Sequence, residues 1–361
     1  MKIEVYSPTI RRKEMDAVLT AMVEEKIGPG ERNRLLIQTA KEQIRFDYAL
    51  ALRSPAVALH LALKALGVKQ AQAVIISALS PRYYLNVIED LQLTPLFCDV
   101  SFDFPCMSRE TIENTIANKP ADLEICAVVL HHTLGFLPDT ASIAELGFPV
   151  IEDISQSYGS AIKPAEKKDE ADAAGEASKE EEAQAKIGGV FCILGLEERD
   201  MLTSGGGALL FAMNRRDGSA LRNFAGIANE YCLPDINAAL AVVQFKELHK
   251  NIERKRDIVN IYTQSSLRTR HKRFVPLAED ESNYYSFSLV LETGLKDVIA
   301  YARKKEIIVE SAFENTLSGC GLCSQCPVSN SLALRTVLFP LYPRLRSQEA
   351  ERVSRLIVTL P

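Results

Sequence analysis

The sequence predicts an α/β protein: a mainly parallel sheet in a large N-terminal domain, followed by a smaller α+β domain. Two observations lead there. Apolar runs of strand length recur through the first two thirds, at Val74–Ala78, Pro95–Val100, Ile125–Leu130, Pro149–Ile154, Val190–Leu194 and Ala208–Ala212. Between most of them lie helix-length stretches whose apolar residues fall three or four apart: Ala56–Leu66, Tyr83–Leu91, Arg109–Ile116 and Thr140–Leu146. Continuous apolar strands alternating with such helices indicate a parallel sheet covered on both faces. In such sheets ligands bind beyond the carboxyl ends of the strands.

The second observation is a change of texture after about residue 236. Ile236–Arg256 is one long amphipathic stretch ending in the basic run Arg254-Lys255-Arg256. A strand at Tyr285–Leu291, a helix at Leu295–Lys304, a strand at Ile307–Glu310 and a final helix over Ser347–Leu356 come after it. The expected division is therefore a large domain over 1–235 and a small one over 236–361. A length of 361 residues agrees with two domains, at about 100–200 residues each.

Composition excludes several classes. The chain is 47% hydrophobic and 25% charged, which rules out wholesale disorder, collagen and coiled coil. It lacks an apolar run of about 18 residues, so no membrane span is expected. The first residues carry no apolar signal core, and a cytoplasmic location is the expectation. The net charge is −5 and no basic stripe interleaves with aromatics, so nucleic acid is not an expected partner. One segment breaks the pattern: Lys163–Lys186 holds eight acids and five lysines with no large apolar residue, and reads as a charged, solvated insertion.

The eight cysteines read as reduced thiols in a chain of this length. Cys98, Cys106, Cys126, Cys192 and Cys232 sit among apolar residues and read as core fillers. Cys320, Cys323 and Cys326 form a CxxCxxC dense enough for a soft metal, although no fourth ligand stands nearby. The other reading of that stretch is an exposed loop with redox-sensitive thiols. His131-His132, at a strand end, reads as a packed pair or as two ligands. No Ser-His-Asp arrangement and no Walker-type phosphate loop is present.

Two stretches carry a more specific pattern. In Val150-Ile151-Glu152-Asp153-Ile154-Ser155-Gln156-Ser157-Tyr158-Gly159 an apolar strand delivers an acid at its carboxyl end, with a Gln three residues later. In Ser204-Gly205-Gly206-Gly207-Ala208-Leu209-Leu210 a glycine turn feeds a strand. Further echoes lie in order along the chain: Leu59–Gly67, Thr94–Val100, His132–Gly135 with Pro138-Asp139, and Leu338–Pro343. Together these resemble the DegT/DnrJ/StrS family of sugar aminotransferases. The resemblance implies the fold-type-I aminotransferase architecture, pyridoxal phosphate as cofactor, a homodimer built across a two-fold axis, and a nucleotide-sugar ligand.

It also implies roles for residues. Asp153 matches the carboxylate that keeps the pyridinium nitrogen protonated, since an opposite charge at hydrogen-bond distance favours the charged form. Gln156 matches the side chain beside the ring's phenolic oxygen. The family's Schiff-base lysine lies in an "FSFxxxK" stretch before the glycine turn. Counting from either end reaches Glu197, Glu198 or Arg199, and neither lysine nor histidine occurs between Lys186 and Lys246. Arginine cannot substitute, because its guanidinium is effectively never deprotonated.

The family's "SGT" phosphate loop is replaced by Arg53-Ser54-Pro55-Ala56. Pro55 removes an N–H donor, Ala56 removes a hydroxyl, and only Ser54 keeps its identity, which a helix N-cap would also explain. Cys192 stands in place of a second phosphate-binding Ser, and Glu230 in place of the Asn that reaches the partner subunit's cofactor. Leu79 or Pro81 falls where an aromatic stacks on the ring, with Tyr83 or Tyr84 as substitutes.

The cofactor residues on this reading are Asp153, Gln156 and Ser54, and no catalytic residue remains. The reading favoured is a family member without transaminase activity that binds a nucleotide-sugar or partners an active paralogue, as a homodimer or heteromer. Two alternatives stay open: a sugar-modifying enzyme holding pyridoxal phosphate non-covalently, and a metal- or redox-responsive protein using Cys320, Cys323 and Cys326. Surface-polysaccharide or modified-sugar synthesis is the setting the resemblance implies.

Overall fold

A computed structural model describes residues 2–162, 188–277, 280–292 and 294–361. The charged insertion expected at Lys163–Lys186 lies outside the described residues. In chain order the strands are β1 (Tyr48–Leu52), β2 (Ala73–Ser77), β3 (Thr94–Cys98), β4 (Ile125–His131), β5 (Val150–Asp153), β6 (Ala161–Ile162), β7 (Phe191–Gly195), β8 (Ala208–Ala212), β9 (Asp280–Glu281), β10 (Phe287–Val290), β11 (Glu310–Ser311) and β12 (Thr336–Phe339). The helices are α1 (Arg12–Val23), α2 (Glu31–Lys41), α3 (Pro55–Ala65), α4 (Tyr83–Asp90), α5 (Arg109–Ala117), α6 (Thr140–Ala144), α7 (Arg215–Arg222), α8 (Asp235–Ser266), α9 (Leu295–Lys304), α10 (Pro327–Arg335) and α11 (Ser347–Val358).

Seven strands form one sheet in the order β1-β8-β7-β5-β4-β2-β3. The run β7-β5-β4-β2-β3 is parallel throughout, as the apolar strands predict. The exception is β8, which runs antiparallel to both of its neighbours. Its connection from β7 contains no helix, only a loop that ends in Gly205, Gly206 and Gly207, all at positive φ. Glycine takes this conformation without steric penalty. A Cβ on Gly207 would lie 2.3 Å from Leu233 Cδ1, so this position also needs the absence of a side chain.

Alternate residues of the strands serve two cores. Leu50, Leu52, Ile76, Ile193 and Leu210 pack beneath α3 and α4. Ala49, Ala51, Cys192, Leu194, Leu209 and Phe211 pack against α2 and the first half of α8, through Leu36, Ala238 and Phe245. The 32-residue α8 continues into a third core, where Ile258 and Tyr262 meet the β10-β12-β11 sheet, α9 and α11.

Two segments pack away from their neighbours in sequence. Ile3 bridges Ile307 and is buried in this third core. Residues 316–326 return to the main sheet: Ser318 N–H donates to Ala78 O at 2.9 Å, and Leu317, Cys323 and Cys326 join the core under α3 and α4. The strand expected at Ile307–Glu310 forms at Glu310–Ser311, because Ile307 is occupied by its bridge to Ile3.

Candidate functional site

The carboxyl end of β5 places Asp153 between the ends of β4 and β7, opposite His131 and Ile193. Its side chain is buried and its oxygens accept from four protein donors. Tyr83 and Tyr84, in the first turn of α4, donate their hydroxyls to Oδ2 at 3.0 and 2.7 Å. Ser155 donates its backbone N–H to Oδ1 at 3.0 Å and its hydroxyl to the same oxygen. Ser155 Oγ in turn accepts from Gly195 N–H at 2.7 Å, which ties the acid to β7. Burial, with Asp153 adding, pushes both tyrosine hydroxyls well above their ordinary range, so they stay protonated donors.

His131 stands beside this cluster, its ring 6.2 Å from that of Tyr84 and nearly perpendicular to it. Its Nδ1 bonds Thr133 Oγ1 at 2.9 Å. Burial lowers its pKa to about 4; Asp153 pulls the other way and His132 reinforces the drop. The neutral imidazole is therefore its form near pH 7.

The neighbouring acid, Glu152, points to the opposite face of the sheet, as strand alternation requires. Its Oε2 bonds His132 Nε2 at 3.1 Å and accepts from Thr140 Oγ1 at 2.9 Å. Its Oε1 accepts from Gly188 N–H at 2.7 Å and Gly189 N–H at 2.5 Å. His132 Nδ1 completes the network with Ser157 Oγ at 2.7 Å. Burial pushes the Glu152 carboxyl up, but His132, the Gly189 N–H and Thr140 outweigh it and hold it below the usual range. The His131-His132 pair is thus divided between the two faces, and each imidazole is packed and hydrogen-bonded.

The other residues singled out in the sequence have structural partners. Gln156 Oε1 accepts from Leu134 N–H at 2.7 Å. Ser54 caps α3, its hydroxyl accepting from Val57 N–H at 3.3 Å with Pro55 in the first turn. Arg53 is exposed and reaches the Glu230 carbonyl at 3.3 Å. Residues 231–233 lie along the end of β1 of their own chain, with Leu52 bridging Cys232. Cys192 is fully buried in the core beneath α8.

Glu197, Glu198 and Arg199 are exposed. Glu197 Oε1 accepts from Gly207 N–H at 3.4 Å. The Glu198 carbonyl accepts from Tyr6, and the Arg199 guanidinium pairs with Glu310 at 2.7 Å. Leu79 is buried in a cluster with Val100 and Phe313.

The CxxCxxC thiols do not converge. Cys320 is exposed, with Sγ 3.7 Å from the Glu314 carbonyl, whereas Cys323 and Cys326 are apolar packing against the main core. Burial pushes the Cys323 thiol up to about 12 and Cys326 upward as well. Among the described residues no group of three or more His, Cys, Asp or Glu is placed to hold a metal ion. The metal set Cys320, Cys323 and Cys326 therefore fails on geometry, because two of the three sulfurs are spent on the core. Iodoacetamide added to the native protein is expected to alkylate Cys320 and spare Cys323 and Cys326 until denaturant is added; peptide mass spectrometry reads the difference.

Sequence reasoning missed Ser155 and Asp200. Ser155 lies two residues past Asp153, the spacing at which a Ser hydroxyl turns back on a carboxylate. Asp200 lies against Gly195 and Ser155: a Cβ on Gly195 would meet Asp200 Oδ2 at 2.3 Å. It retains some exposed surface, yet burial and the charge of Asp153 raise its carboxyl to about 8. Nothing local in the sequence marks it, since its setting is made by a loop closing on β5 and β7.

Comparison with known proteins agrees with this architecture. The profile of the DegT/DnrJ/EryC1/StrS aminotransferase family matches residues 8–176 and 182–358. The GDP-perosamine synthase of Escherichia coli O157:H7 is 27% identical over 281 residues, 72% of this chain and 70% of that protein. Among solved structures, the aminotransferase TlmJ from Streptoalloteichus hindustanus superposes with a TM-score of 0.82 at 20% identity, over 98% of this chain and 97% of that one. The E. coli GDP-4-keto-6-deoxy-D-mannose-3-dehydratase with bound hydrated PLP superposes with a TM-score of 0.81 at 13% identity, over 99% of each chain. Among the described residues, no helix is long and apolar enough to cross a membrane.

Proposed function

This chain belongs to the DegT/DnrJ/EryC1/StrS aminotransferase family, and from that premise we propose that it has left lysine-dependent transamination and serves nucleotide-sugar metabolism by binding. Its relative, the E. coli GDP-perosamine synthase, supports a nucleotide-sugar as the ligand class. Surface-polysaccharide or modified-sugar synthesis is the setting, in the cytoplasm. The protein acts as a homodimer or as a heteromer with an active paralogue.

The observation that carries this reading is the state of Asp153. Pyridoxal phosphate supplies an electron sink when a carboxylate faces its ring nitrogen, an amine holds its aldehyde carbon and N–H groups grip its phosphate. Here Tyr83, Tyr84 and Ser155 already occupy both oxygens of Asp153. Gln156 is engaged by the backbone of Leu134, and Ser54 by its own helix. No lysine lies from residue 187 to 245. The residues present therefore do not fit the cofactor in the family's manner.

The test is direct. Purified protein mixed with pyridoxal phosphate and desalted without reductant is expected to retain no cofactor absorbance. Incubation with a nucleotide keto-sugar and glutamate is expected to yield no amino-sugar. Retained cofactor with a bound-state spectrum, or amino-sugar formation, overturns the reading. Light scattering on the protein alone and mixed with an intact paralogue distinguishes homodimer from heteromer.

A further inference from the structure

A cavity of about 80 Å³ lies between the N-terminal residues 5–9, the 199–203 loop and the face of α8. At roughly 30 Å³ per water it holds a small organic molecule. Asn251 and Lys255, four residues apart and so on one face of α8, line it together with Asp200, Met201 and Tyr285. None of Asp153, Gln156 and Ser54 lines it, although Asp200 does, whose carboxyl the charge of Asp153 helps to raise.

We propose that Lys255 is a reactive amine that captures a small aldehyde or ketone as an imine in this cavity. Its Nζ has weak company: Tyr285 O at 3.5 Å and Met201 Sδ at 3.6 Å. Among the described residues no carboxylate lies within ion-pairing distance of it. Lys255 is half-buried with no counter-ion and only the Tyr285 ring face, 6.0 Å from Nζ, to favour the ammonium, and burial lowers it to about 8. Asn251 is buried and its Oδ1 has no hydrogen-bond partner.

An anion is the weaker candidate for this cavity. Its guanidinium, Arg199, is committed to Glu310 and lies over the Tyr6 ring, and Asp200 adds a carboxyl. That carboxyl, raised to about 8, holds its proton near neutrality and can pass it on. The step balances without a redox partner. The Nζ lone pair bonds to the carbonyl carbon as the C–O π electrons move to oxygen. Asp200 gives that oxygen a proton, the nitrogen releases one to solvent, and solvent restores the Asp200 proton. A second transfer in the same sense releases the oxygen as water and leaves the C=N bond. The protons lost by nitrogen balance those gained by the departing oxygen, and nothing is oxidised or reduced.

The test uses the native full chain at pH 7, with glycolaldehyde as the probe and cyanoborohydride to fix the imine. Peptide mass spectrometry then gives the rate at each lysine. Lys255 is expected to react roughly tenfold faster than exposed lysines such as Lys64 and Lys246, because more of it is the free amine. A Lys255→Arg variant should lose the fast adduct and no other. In Asp200→Asn the Lys255 rate should fall while exposed lysines are unaffected. A Lys255 rate no higher than that of Lys64 and Lys246 overturns the proposal; an unchanged rate in Asp200→Asn overturns the proton-carrying role.

Discussion

Glu152→Ala is expected to destabilise the protein by about 3–5 kcal/mol, measured as the change in urea-denaturation free energy. The loss leaves the donors of His132, Thr140, Gly188 and Gly189 facing an empty space in the interior. Each unsatisfied buried donor costs about 1–3 kcal/mol, and local collapse recovers part of the sum. Glu152→Gln should cost less than Ala but more than a surface change, because its amide NH2 opposes donors where a carboxylate oxygen accepted them. The depressed carboxyl also sets a pH dependence. A group whose folded pKa lies below its unfolded value contributes stability above the unfolded value and loses it as pH falls through the folded one. Wild-type protein should therefore lose this share of stability as pH drops below 4.5, the ordinary value, and Glu152→Ala should not.

Asp200→Asn is expected to act in the other direction. The folded protein holds the Asp200 proton up to about 8, while the ordinary value is 3.8. Between those values the folded state binds more protons than the unfolded state, so Asp200 lowers stability as pH rises across that window. The Asn side chain is neutral throughout and can still accept from the Glu197 N–H, as Asp200 does at 2.8 Å. Its variant should match wild type near pH 4 and exceed it by about 3 kcal/mol near pH 8, a figure discounted from the full linkage because the side chain keeps some solvent contact. Denaturation curves at the two pH values check this. Equal stability at pH 8 would mean that Asp200 is solvated and ionised.

Much of the fold is legible in the chain. The parallel strands and the helices between them appear as apolar runs and three-to-four spacings, and Ala208–Ala212 and Leu295–Lys304 form at the predicted bounds. The edge strand β1 escapes that reading: Tyr48–Leu52 is short, and its companions α1 and α2 are polar on most of their surface. The reversal of β8 also escapes it, because an apolar strand reads the same in either direction. In the site, Asp153 and Gln156 are visible through the motif around them, and the missing lysine through simple counting. The partners of Asp153 are not, since Tyr83 and Tyr84 stand about 70 residues away and arrive only when α4 packs on the sheet.

The sequence alone determined which side chains this protein owns: an acid at the end of its central strand, a glycine turn beside it, and no lysine from residue 187 to 245. Identity and order along the chain suffice for that, because periodicity and motif are local properties. The tertiary structure decided what each group does, closing Asp153 with hydroxyls, dividing the CxxCxxC thiols between surface and core and leaving Lys255 without a counter-ion. The physical reason is that charge state and hydrogen-bond satisfaction depend on neighbours in space, and elements distant in sequence supply those neighbours.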